Sequence, residues 1–134
     1  MSAFLDTSIL VRYLTGDPPE LAEQAAGIID STDSLYVTDV VLAETAYVLT
    51  SVYHVPRNLV VDHLVAFVQK ANITPFAMDK GQVLQALLLC RTSGRVSFAD
   101  AMIWAAARSS GSRLVYSLDE RFPGDGLEVR RKAP

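Results

Sequence analysis

Four of the fifteen acidic residues stand where an acid is costly. Asp6 follows directly on the apolar run Ala3–Leu5, and Asp119 ends Leu-Val-Tyr-Ser-Leu-Asp at 114–119. Both are therefore expected at carboxyl ends of strands. Glu44 lies three or four residues from Val40, Val41, Tyr47 and Val48, which places it on the apolar stripe of its own helix. Asp100 stands in Phe-Ala-Asp-Ala-Met-Ile-Trp-Ala-Ala-Ala at 98–107, one turn into the most apolar helical stretch of the chain. Singly, each has a structural reading. Asp6 and Asp119 can cap a helix after a strand, and Asp100 can close a capping box with Ser97, although Glu or Gln is the usual partner. Glu44 is the hardest to explain this way: no Lys or Arg lies within a turn of it, and an unpaired carboxylate on an apolar face costs several kcal/mol.

Two strand ends, a helix start and an inward-facing helix position can converge on one cleft. Carboxylates about 4–6 Å apart repel by about 3–4 kcal/mol per close pair at an effective dielectric near 20. They either raise one another's pKa or recruit a divalent cation. A donor set that is all oxygen and all anionic selects hard ions, Mg²⁺ with Mn²⁺ as substitute. Such ions keep several waters and take substrate phosphate as a further ligand, which equips the cleft for metal-assisted phosphodiester hydrolysis.

The other candidates for chemistry are poor. His54 and His63 are nine residues apart, and His63 falls beside the stripe Val60, Leu64, Phe67, as a core or boundary residue would. No nucleophile–base–orienter triad stands out. Asp-Thr-Ser, not a glycine-rich loop, follows the first apolar run, which argues against nucleotide binding. Cys90 is the single cysteine, so an internal disulfide and a Cys/His zinc cluster are both excluded. After Leu87-Leu88-Leu89 it reads as a core thiol, and Trp104 and Met102 read as core or dimer-face residues. Net charge is −3, which at face value argues against nucleic acid. Setting the four carboxylates aside leaves eleven acids against twelve Lys and Arg, so the rest of the surface is near neutral and RNA is not excluded. Nine of those twelve bases are Arg, which suits phosphate; Arg91, Arg95 and the tail Arg130-Arg131-Lys132 read as ordinary surface charge.

The elements that must position these residues can be read from periodicity. With 134 residues, half of them hydrophobic, the chain is one domain, 1–134, with enough core to need no staple. Strands are expected at Ala3–Leu5, Leu35–Val37, Ile73–Met78 (interrupted by Pro75), Leu114–Ser117 and Leu127–Val129. Helices are expected over about Ser8–Leu14, from an Asp17 cap, from Asp39 to about Val52, from Pro56, over Lys80–Arg91 with Val83, Leu84, Leu87 and Leu88 inside, and from Ser97 to about Ser110. Solid apolar strands alternating with helices imply an α/β fold with a parallel sheet covered on both faces. No apolar run reaches transmembrane length and no basic leader precedes Asp6, so a cytoplasmic protein without membrane contact is expected.

Leu-Asp-Thr-Ser-Ile-Leu-Val-Arg-Tyr-Leu at 5–14, Glu44, Ser-Phe-Ala-Asp-Ala-Met-Ile-Trp at 97–104 and Val-Tyr-Ser-Leu-Asp-Glu-Arg-Phe at 115–122 together resemble the PIN-domain nucleases, and within them the VapC-type toxins of toxin–antitoxin pairs. The motifs run in order along the whole chain. The resemblance implies a PIN-like three-layer α/β/α sandwich with a central parallel sheet of about five strands. It implies Asp6, Glu44, Asp100 and Asp119 as both metal ligands and catalytic residues, with Ser117 in support where the family often has Thr-Phe-Asp and this chain has Ser-Leu-Asp. Thr7 and Ser8 supply further hydroxyls beside Asp6. It also implies an endoribonuclease acting on RNA, a homodimer, and a cognate antitoxin that blocks the acidic cleft. Two other readings stay open: a receiver-like Mg²⁺-binding signalling module, which needs a lysine after a late strand, and a non-catalytic domain whose acidic groove holds a basic peptide.

Overall fold

The computed structural model describes residues 2–31 and 33–134. The elements follow in the order β1 (Ser2–Leu5), α1 (Thr7–Thr15), α2 (Pro19–Ile29), β2 (Ser34–Thr38), α3 (Asp39–Ser51), α4 (Arg57–Val68), β3 (Ile73–Phe76), α5 (Lys80–Thr92), α6 (Phe98–Ser110), β4 (Leu114–Tyr116) and β5 (Glu128–Arg130). The five strands form one sheet in the order β3-β2-β1-β4-β5. Every pairing is parallel, with Phe4 opposite both Tyr36 and Val115. This is the α/β architecture with a central five-stranded parallel sheet.

The chain moves outward from β1 to β2 and β3, then returns to place β4 on the other side of β1. The carboxyl ends of β1 and β4 therefore flank the point where strand order reverses, where open α/β sheets leave a ligand crevice. Beneath it the core is solid. Phe4, Leu5, Ile9, Leu10, Leu35, Val37, Ile103 and Val115 are almost wholly buried, and Phe4, Tyr36 and Phe76 pack ring on ring with centroids 5.0–5.6 Å apart. In α6, Ala99, Ala101, Ala105, Ala106 and Ala107 are all buried, so small side chains let this helix lie close against its neighbours. Trp104 belongs to the core, its indole N–H donating to the Asp125 carbonyl at 3.0 Å.

Several expectations are corrected. Leu84, Leu87 and Leu88 are exposed; α5 buries Gln82 and Ala86 instead, with Leu89 and Cys90 half-buried. The leucines of α5 outnumber its buried positions, and the fully buried one among its apolar residues is the small Ala86. Tyr47 is exposed, and the buried line of α3 is Val41, Thr45 and Leu49, so Glu44 stands at the edge of that stripe rather than on it. His63 is exposed, one position off the buried Val60–Phe67 face. Asp17 does not cap α2, which starts with Pro18 at the cap and no side-chain bond. Strand β3 stops at Phe76; as an edge strand it tolerates Pro75, which has no N–H to donate.

Candidate metal centre

Asp6 is the last residue before α1 and serves as its cap, one carboxylate oxygen accepting from the Thr7 N–H at 2.8 Å. Its other oxygen accepts from the Ser117 hydroxyl at 2.6 Å and the Ser8 hydroxyl at 3.0 Å. The cap reading thus holds for this residue. Ser117 lies just beyond β4 and is 1% exposed. Its oxygen also accepts from the Asp119 N–H at 3.0 Å, while the Ser8 oxygen accepts from the Leu118 N–H at 3.0 Å. Two serines thus tie the β1–α1 corner to the segment after β4 and fix the orientation of Asp6.

Asp119 follows that segment. No helix begins there, so it is not a helix cap; its Oδ1 accepts from the Arg121 N–H at 2.9 Å and closes a turn. Asp100 is set by the start of α6, where the Ser97 hydroxyl accepts from the Asp100 N–H at 3.0 Å. The reciprocal half of a capping box is not formed: the Asp100 carboxylate turns instead toward Asp6. Glu44 reaches the site from the border of α3, and the Thr7 hydroxyl donates to its Oε1 at 2.5 Å.

All four carboxylates line one cleft of about 390 Å³, together with Thr7, Ser8 and the segment Gly94–Ser97. Asp6 is 2% exposed and Asp100 9%. Burial raises the Asp6 pKa, against the lowering effect of the hydrogen bonds from Ser117, Ser8 and Thr7. Burial also raises that of Asp100, to about 7, reinforced by the charge of Asp6, a hydrogen bond with it, and the charges of Asp119 and Glu44. Burial thus raises the pKa of both carboxylic acids, while the three donors work in favour of the charged form of Asp6. Among the described residues, no three acidic, histidine or cysteine side chains are already drawn to metal-ligating geometry. The donor set nevertheless fits a hard dication. It is all oxygen and anionic, it is crowded enough to hold a proton at neutral pH, and such ions bind through one or two carboxylates while keeping their waters.

Two arginines and one long-range contact complete the cleft. Arg121, whose place two residues after Asp119 is a usable signal, and Arg95, expected as ordinary surface charge, both line the site. The Thr7–Glu44 contact joins residues 37 apart in sequence and has no local signature.

The PIN-domain family model matches residues 3–124, a span that holds all four carboxylates. Similar folds include Mycobacterium tuberculosis VapC20, described as a sarcin-ricin loop cleaving toxin, at 23% identity over 93% of this chain and 95% of that one, with a TM-score of 0.76. VapBC2 from Rickettsia felis, bound to a DNA fragment from its promoter, is similar at 14% identity over 97% and 98% of the two chains, with a TM-score of 0.69. VapBC-1 from nontypeable Haemophilus influenzae is similar at 15% identity over 97% of each, with a TM-score of 0.66. No curated protein matches the chain. With the family model covering nearly its whole length, this chain belongs to the PIN-domain family.

Proposed function

We propose that the chain is a Mg²⁺-dependent endoribonuclease that acts as the toxin of a toxin–antitoxin pair, hydrolysing RNA phosphodiester bonds at Asp6, Glu44, Asp100 and Asp119. The observation that carries this reading is the convergence of the four carboxylates on one cleft at the strand-order switch, with Asp100 pushed up to about 7 by burial and by its neighbours. A bound dication would supply charge neutralisation at the scissile phosphate and a lowered pKa for water.

The chain's own groups do the rest. Asp6, held by three donors, is the fixed anchor, and Asp100 opposite it is the partner whose charge depends on what the cleft contains. Ser117 and Ser8 keep the Asp6 carboxylate from turning, and Thr7 does the same for Glu44. On this reading a carboxylate of the site, Asp119 or Asp100, takes the proton of an attacking water. Water attack at phosphorus leaves 5′-phosphate and 3′-hydroxyl ends. The receiver-like alternative has little support, because no lysine lines the cleft among the described residues.

Toxin function rests on the family and on the VapC and VapBC neighbours in fold. A cognate antitoxin and a second copy of the chain are proposed to cover the exposed apolar side chains of α3, α4 and α5, among them Tyr47, Val61, Leu84 and Leu88. No described helix is long and apolar enough to cross a membrane.

The test is cleavage of total RNA by the purified chain. Activity is expected with Mg²⁺ or Mn²⁺, to disappear in EDTA, and to fall at least about a hundredfold in Asp6→Asn with the fold intact. Full activity of that variant would overturn the assignment.

A further inference from the structure

We propose that Arg95 and Arg121 hold the substrate strand across the acidic cleft, each binding a backbone phosphate next to the one being cleaved. This rests on the ribonuclease reading above and names how that site grips its substrate.

The two arginines are the only basic residues lining the cleft among the described residues. They come from separate segments, Arg95 from the turn between α5 and α6 and Arg121 from the turn that Asp119 closes. Arg95 is exposed and makes no hydrogen bond or ion pair with any described residue, even though it shares a cleft with four carboxylates. The Arg121 side chain is 76% exposed and reaches Asp119 only through Nε at 3.4 Å, beside the backbone N–H bond to the same oxygen, leaving both of its terminal nitrogens without a partner among the described residues. A third base backs the same wall: Arg131 donates from Nη1 to the Leu118 carbonyl at 2.9 Å, one residue before Asp119.

The electrostatics require such groups. A dication answers the charge of the scissile phosphate, but the next phosphates along the strand would still face the carboxylates of Glu44 and Asp119. Without a fixed cation on the rim, the flanking strand is repelled by the same acids that make the centre work. Guanidinium suits this position because it stays charged and meets phosphate through two parallel N–H donors. Each such contact also releases counterions, which makes binding salt-dependent with a slope of about 0.7 per phosphate on a single strand.

The test separates grip from chemistry. In an Asp6→Asn background, which does not cleave, affinity for a labelled fifteen-nucleotide single-stranded RNA is measured by fluorescence anisotropy across a salt series. The Arg95→Gln, Arg121→Gln double variant is expected to bind about tenfold or more weaker, with its salt slope lower by about 1.4, for two lost phosphate contacts. The double Lys variant should keep the slope and lose part of the affinity. Arg57→Gln, exposed at the start of α4 and outside the cleft, should change neither. Affinity and slope of the double Gln variant within twofold of its parent would overturn the proposal, as would a parent that binds no RNA at low salt. The ribonuclease reading is judged separately, on Mg²⁺-dependent cleavage by the unaltered chain.

Discussion

Asp100 is the residue whose chemistry is most altered by the fold. Its pKa is raised from 3.8 to about 7, chiefly by burial and then by Asp6. The unfolded chain therefore gives up this proton at lower pH than the native protein does. Between about pH 4 and 7 the native state binds more protons, so its stability falls as pH rises, and the penalty is complete above 7. Asp6 is shifted in the same direction. The metal-free protein is thus expected to melt at a lower temperature at pH 8 than at pH 5.5, and Asp100→Asn should flatten the difference and raise stability at pH 8 by about 1–3 kcal/mol. Thermal melts in EDTA at the two pH values measure this; a variant less stable than the parent at pH 8 would contradict it. Ser117→Ala removes the 2.6 Å donor from Asp6 and the acceptor for the Asp119 N–H. About a 10–100-fold loss of Mn²⁺ affinity is expected, read by calorimetry, as when an outer partner of a metal ligand is removed.

At the scale of elements, the ends of helices and strands set the site. Ser97 caps α6 through the N–H of Asp100 itself, so Ser97→Ala is expected to cost about 1 kcal/mol in urea unfolding. Its cleavage rate should fall by more than that loss of folded population explains, because the same bond aims Asp100. The two carboxylates after apolar runs stand out in sequence, but each alone is equally compatible with a helix cap, as Asp6 is; only their company with Glu44 and Asp100 marks them. Asp100 was legible because a carboxylate inside an alanine-rich helix is out of place. Glu44 was legible as an anomaly but not as a position: periodicity put it on the buried stripe, whereas Val41, Thr45 and Leu49 hold that stripe. A one-residue turn of a helix about its axis is about 100°, and only tertiary packing chooses between adjacent faces. The same ambiguity put Leu84, Leu87 and Leu88 inside α5, where Gln82 and Ala86 are buried instead.

For the molecule as a whole, the strand order β3-β2-β1-β4-β5 gathers residues from positions 6, 44, 100 and 119 at one crevice. Alternating strands and helices made the parallel sheet legible, but not the contacts across it; Thr7–Glu44 and Ser117–Asp6 depend on which strand ends are neighbours. The exposed leucines of α5 belong to this scale too. Leu84→Glu with Leu88→Glu should leave the isolated fold within about 0.5 kcal/mol per site, since neither side chain is in the core. If a second copy covers them, light scattering will show the parent as a dimer and the variant as a monomer; the same mass for both would place the dimer elsewhere.

On the proposed function, the four acids crowd one another enough to need a dication. Titrating the metal-free chain with Mn²⁺ in a calorimeter at pH 7.5 tests it most directly. Binding with release of a fraction of a proton is expected, because an acid with a pKa near 7 is still partly protonated at that pH. Asp6→Asn and Asp100→Asn should each weaken binding at least about tenfold. Equal Mn²⁺ affinity in the parent and in both variants would contradict the account.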